Sequence, residues 1–151
     1  MGNQIVRVTP ESYAKCANVW DMKRQCALAK QCYDEIVSGR RAAYAFVVDD
    51  AFVGEISLVF DMNDTDYVIP GRRAYLSRLM VKPEFQRRGI GKELVAFILG
   101  EAKRLGYREI SVGVNLDNYP ALRLYVGAGF REVLRVDSDE YGAYIKLNKV
   151  L

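Results

Sequence analysis

Gln86-Arg87-Arg88-Gly89-Ile90-Gly91-Lys92 gathers three cations and two glycines into one turn. A helical stripe starts inside it: Ile90, Leu94, Ile98, Ala102 and Leu105 recur at helical spacing, widened by Val95 and Leu99. The turn therefore stands at a helix start. The first N–H groups of a helix have no partner within it, and that end carries about half a positive charge. Glycines let an anion approach those N–H groups closely, and Arg87, Arg88 and Lys92 add full charges at the same place. This arrangement suits a pyrophosphate; the plainer alternative is a basic helix start with ordinary turn glycines. Spacing excludes two phosphate loops. A Walker loop needs glycine at 86 and Ser or Thr at 93, where this chain has Gln86 and Glu93. A dinucleotide fingerprint needs a third glycine at 94, where Leu94 stands.

The elements that position this turn can be read on either side. Arg73 to Val81 has the composition of a strand, and Pro83 stops it because proline gives no N–H to a ladder. Leu79, Met80 and Val81 are consecutively apolar, which points to burial on both faces or to a bulge. Lys103 and Arg104 suit the last turn of the helix, and Gly106 follows as its terminating glycine.

Upstream, Ile5 to Val8 is a short strand. Thr9 and Pro10 then read as the N-cap and first position of a helix carrying Tyr13, Cys16, Ala17 and Trp20. Trp20 reads first as core and second as a wall of an acceptor pocket. A second helix runs from Gln25 to Val37, with Ala29, Cys32, Tyr33 and Ile36 on one side and Ser38-Gly39 at its end. Ala43 to Val48 and Phe52 to Phe60 form a hairpin through Asp49-Asp50. Asp61 to Arg72 is the longest loop; its aspartates could attract a cationic amine, but the reading adopted is a solvated loop. Downstream come a strand, Glu109 to Val114, and a helix capped by Asn118 with Pro120 in its first turn. Strands from Phe130 to Val136 and Ala143 to Leu147 close the chain, joined by an acidic turn from Asp137 to Glu140.

Gln86-x-x-Gly89-x-Gly91 resembles the cofactor-binding signature of the GNAT acetyltransferase superfamily. Asn118-x-x-Ala121-x-x-Leu124-Tyr125-x-x-x-Gly129-Phe130 resembles its C-terminal signature, in the expected order. The two signatures are specific; the first seventy or so residues fit in outline. The resemblance implies a mixed α/β fold over residues 1–151 as a single domain. Its centre is a mostly antiparallel twisted sheet of about seven strands with about four helices, splayed where the cofactor inserts. The implied activity is transfer of an acetyl group from acetyl-CoA to a primary amine of a small molecule or of a protein or peptide, by direct attack. The implied cofactor contacts are Leu79, Met80 and Val81 for the pantetheine amides, Gln86, Arg87, Arg88, Gly89, Ile90, Gly91 and Lys92 for the pyrophosphate, and Asn118 and Tyr125. Tyr125 matches the family's proton donor to the departing thiolate. Where family members often carry a carboxylate base, this chain has Ser77 and Arg78. Glu55 is the first substitute and Asp61 the second, and a water relay or an already neutral amine needs neither. A non-catalytic acyl-CoA-binding module is the alternative reading.

Composition limits the remaining choices. There is no histidine, which removes histidine bases, triads and metal ligands. Cys16, Cys26 and Cys32 are odd in number and lack metal spacing, so free thiols in a reducing compartment are expected, and no metal. A net charge of +3 makes no case for nucleic acid or a membrane surface. With neither a signal-like start, nor a complete myristoylation pattern, nor a long apolar run, a cytoplasmic location is expected. The oligomeric state is open, and a homodimer is compatible with the chain.

Overall fold

The computed structural model describes residues 4–151. Its strands are β1 (Gln4–Arg7), β2 (Arg41–Val48), β3 (Ala51–Val59), β4 (Arg73–Val81), β5 (Glu109–Asn115), β6 (Glu132–Asp139) and β7 (Gly142–Val150). They form one seven-stranded sheet in the order β1-β2-β3-β4-β5-β7-β6. The β1–β2, β2–β3, β5–β7 and β6–β7 pairs are antiparallel, and β4–β5 is parallel. The α-helices are α1 (Cys26–Ser38), α2 (Ile90–Arg104) and α3 (Tyr119–Gly127), with 3-10 segments at Tyr13–Asn18 and Pro83–Phe85. The β4–β5 ladder runs through Arg73–Glu109, Ala74–Ile110 and Tyr75–Ser111, a fraction of either strand's length. By contact density the chain divides into two compact units.

The first unit holds residues 4–59 and Ser77–Ile98. Asp49 and Asp50 close its hairpin with φ of 48° and 65°, the paired positive angles that match the twist of two short-linked strands. Ala43, Ala45 and Val47 of β2 pack with Ala29, Cys32 and Ile36 of α1 and with Tyr13, Cys16 and Trp20. Tyr33 stands at the edge of that face, 38% exposed. Gly39 ends α1 with φ 80°; its N–H bonds to the Ile36 carbonyl, and the Arg40 N–H bonds to Glu35.

The helix expected from Thr9 is a six-residue 3-10 segment instead. Thr9 and Ser12 bond each other reciprocally: Thr9 N–H to Ser12 Oγ at 2.9 Å, Ser12 N–H to Thr9 Oγ1 at 3.1 Å. This closes a separate turn, so Thr9 does not cap a longer helix. Tyr13, Cys16 and Trp20 are buried as expected, while Ala17 faces outward.

The second unit holds Phe60–Leu76 and Leu99–Leu151. Its long loop is not merely solvated, which corrects the sequence reading. Lys146 Nζ donates to Asp64 at 2.8 Å and to Asp66 at 3.1 Å, and Arg135 Nε donates to Asp66 at 2.8 Å. Lys146 is buried, so these aspartates neutralise an ammonium removed from water. The last two strands are also longer than expected. Ser138 pairs with Ala143 and Asp139 with Gly142, leaving Glu140-Tyr141 as the turn. Acidic residues there mark an exposed edge rather than a turn, because strand pairing needs only backbone groups. Leu105, placed in the apolar stripe of α2, is 42% exposed, since Gly106 ends the helix beside it.

Candidate functional site

In the first unit, Gln86 ties the basic turn to the end of β4, its Nε2 donating to the Val81 carbonyl at 2.9 Å. Arg87 has φ 64° and Gly89 φ 82°, so the chain makes a left-handed excursion before the helix. Gly89 accepts the first helical bond, from Glu93 N–H at 3.0 Å. The N–H groups of the residues that follow are then those without helical partners. A Cβ built on Gly89 would meet nothing within 4 Å, so open space lies where an anion would approach. Arg87, Arg88, Gly89 and Lys92 are exposed, Gly91 is half-buried, and Ile90 is buried and anchors the turn. The Arg88 guanidinium lies 5.0 Å from the centre of the Phe85 ring. These observations fit a diphosphate held by helix N–H groups and flanking cations.

On the same unit, Leu79, Met80 and Val81 are half-buried. Arg78, just before them, has φ 59°, a left-handed residue inside β4 where the alternation breaks. Gly54 of β3 lies beneath this segment. A Cβ on it would come 3.2 Å from Leu94 Cδ1 and 3.3 Å from the Met80 carbonyl oxygen, so α2 and β4 close over β3 where only glycine fits.

Glu55, also on β3, is only 4% exposed. Burial is the chief cause holding its carboxyl above the usual carboxylate range, opposed by the Cys16 thiol that hydrogen-bonds to it and by Arg78 and Arg41. Its Oε1 has no hydrogen-bond partner. The indole Nε1 of Trp20 lies beside this carboxyl without reaching hydrogen-bond geometry. Arg41 pairs with Glu35 at 2.8 Å and donates to Ser77 Oγ at 3.3 Å. Two residues the sequence reading did not assign to a site thus join this cluster, Arg41 and Arg78. A positive φ on arginine leaves no mark in composition or periodicity.

In the second unit, Asn118 caps α3, its Oδ1 accepting from Ala121 N–H at 3.3 Å, with Pro120 in the first turn. Tyr125 is buried and sits edge-on to Phe130, ring centres 5.7 Å apart. Burial, then the neighbouring Tyr75, pushes its phenol well above the ordinary value, so it keeps its proton. Asp61, the second base candidate, is exposed at the start of the long loop. Among the described residues, no group of three or more His, Cys, Asp or Glu could hold a metal.

Comparison with known proteins gives a consistent picture. A family model described as the acetyltransferase (GNAT) family matches residues 11–130. A GCN5-related N-acetyltransferase 4, chloroplastic, from Arabidopsis thaliana is 38% identical over 60 residues, covering 40% of this chain and 21% of that protein. The chain spans less than half the length of the curated relatives it matches. A putative GNAT-family acetyltransferase from Desulfovibrio desulfuricans superposes with a TM-score of 0.77 at 19% identity over 98% of both chains. A GNAT-family acetyltransferase from Elizabethkingia anophelis, solved with acetyl-CoA bound, gives 0.72 at 18% identity over 99% of both. These likenesses show a shared fold.

Proposed function

For this chain, which belongs to the acetyltransferase (GNAT) family, we propose transfer of an acetyl group from acetyl-CoA to a primary amine of a small molecule or of a protein or peptide. The observation that carries this reading is the open left-handed Gly89 at the start of α2, ringed by Arg87, Arg88 and Lys92. Gln86 to Lys92 hold the diphosphate of the donor, and the backbone of Leu79, Met80 and Val81 receives its amide arm. Asn118 adds a polar contact. Glu55 takes the proton from the attacking amine, a task suited to a carboxyl whose hold on a proton is strengthened by burial. The amine nitrogen bonds to the thioester carbon, the C–S bond breaks, and the departing thiolate takes its proton from the Tyr125 phenol. The 151 residues act as one domain, and free, partly buried cysteines suit a cytoplasmic setting.

Calorimetric titration of acetyl-CoA into wild type and Gly89→Asp tests the cofactor site. Binding in the wild type and loss in the variant is the expected result; a wild type that does not bind removes the reading. A second reading, an acyl-CoA-binding module without catalysis, is favoured by one observation: the first-choice base, Glu55, is almost wholly buried. A single acetylated product from an amine panel excludes it.

A further inference from the structure

Four polar atoms described in the first unit stand buried without partners: Ser57 Oγ, Trp20 Nε1, Glu55 Oε1 and Arg78 Nε. The last three come from the connection after the Tyr13–Asn18 segment, from β3 and from β4, and meet around one point. The Arg78 guanidinium lies 4.3 Å from the centre of the Trp20 ring, and the Trp20 indole adjoins the Glu55 carboxyl. Other arginines drawn into the protein are matched with carboxylates, Arg41 with Glu35 at 2.8 Å and Arg73 with Glu109 at 2.7 Å. Arg78 has none within 4.0 Å among the described residues; its described hydrogen bond runs from Nη2 to the sulfur of Met80 at 3.4 Å, a weak acceptor. Its backbone is held at φ 59°, a strained angle for arginine. Strain, stacking on an indole and a buried, unpartnered Nε together describe a guanidinium with hydrogen bonds still to offer an anion.

Glu55 supplies the opposite charge nearby, also with a free oxygen. Arg78 and Glu55 attract each other without forming an ion pair, and each keeps one buried polar atom with no hydrogen bond. A zwitterion answers both. Trp20 also borders an open cavity of about 400 Å³ lined by residues 17–23, Asp21 and Lys23 among them; Arg78 and Glu55 lie outside its lining.

We propose that the acceptor is a free α-amino acid, its carboxylate held by the Arg78 guanidinium and its amine directed to Glu55. This rests on the acetyltransferase reading and names its substrate class. The test uses matched pairs: L-leucine with isoamylamine, L-methionine with 3-(methylthio)propylamine, and L-phenylalanine with phenethylamine. Each is titrated calorimetrically into protein saturated with CoA, for wild type, Arg78→Gln and Arg78→Lys. In at least one pair the amino acid is expected to bind tenfold or more tighter than the amine. Arg78→Gln brings that ratio to about one, and Arg78→Lys restores part of it. Equal affinities within every pair, binding of no member, or an Arg78→Gln variant that weakens both members equally overturns the proposal; these are the results expected if water satisfies Arg78. Acetyl-CoA affinity is measured separately, so loss of the donor site and loss of carboxylate recognition are told apart.

Discussion

Gly89→Ala is the sharpest perturbation of the donor site, and Gly39→Ala is its matched control. Both glycines are left-handed, with φ 82° and 80°, and a Cβ at either meets nothing within 4 Å. Neither substitution creates a clash, so both cost the same backbone strain, about 1–2 kcal/mol. Loss of unfolded-chain freedom returns about 0.4–1 kcal/mol of this. The net, about 1 kcal/mol, lowers Tm by about 2–4 °C in a chain of this size. The two variants should therefore be indistinguishable by thermal unfolding. They should differ in donor binding. Gly39 ends α1, whereas the methyl group added by Gly89→Ala would enter the space an anion needs to reach the helix N–H groups. Losing one charge-assisted hydrogen bond costs about 1.5–3 kcal/mol, or a tenfold or greater rise in Kd. Isothermal calorimetry with acetyl-CoA, beside differential scanning calorimetry, measures both quantities. Unchanged affinity in Gly89→Ala, or an equal loss in Gly39→Ala, refutes the assignment of this turn to the diphosphate.

Tyr125→Phe should retain acetyl-CoA affinity and lower kcat about a hundredfold or more, the usual scale of a lost general acid; full turnover on an identified acceptor would remove the phenol from the mechanism. Glu55→Gln should abolish base-dependent turnover and yet raise stability. Its carboxyl binds its proton more tightly folded than unfolded, so stability falls as pH rises from the unfolded value toward the folded one. The Tm advantage of the variant should be absent in acid and grow toward neutral pH; a Tm gap that ignores pH would show that burial does not govern this group. Gly54→Ala should cost about 1–3 kcal/mol by overpacking, because its Cβ would sit 3.3 Å from a backbone oxygen that cannot give way. That oxygen belongs to Met80, so acetyl-CoA affinity should drop as well; a variant with wild-type Tm and affinity contradicts the close packing of β3 beneath β4.

What the chain alone determined is what neighbouring residues decide among themselves. The bounds of β4, the hairpin at Asp49-Asp50, the Asn118 cap and the ends of α1 and α2 at Gly39 and Gly106 all appear as read. Each depends on a φ preference, a side chain bonding within a few residues, or a stripe of constant period. The basic turn before α2 was legible for the same reason: its chemistry is that of one helix start and its own glycines. Tertiary structure decided whatever depends on groups distant in sequence. Asp64 and Asp66 looked solvated until Lys146, some eighty residues on, was seen to be buried against them. Glu55 reads from the sequence as the first base candidate, and only the fold shows it buried with Cys16 and Trp20 beside it. Arg78 read as a substitution at a family position until its left-handed φ and its stack on Trp20 showed an unanswered guanidinium. A side chain's type sets what it can bond to, but burial and the partners brought by the fold set its charge, its strain and whether it still has a bond to offer.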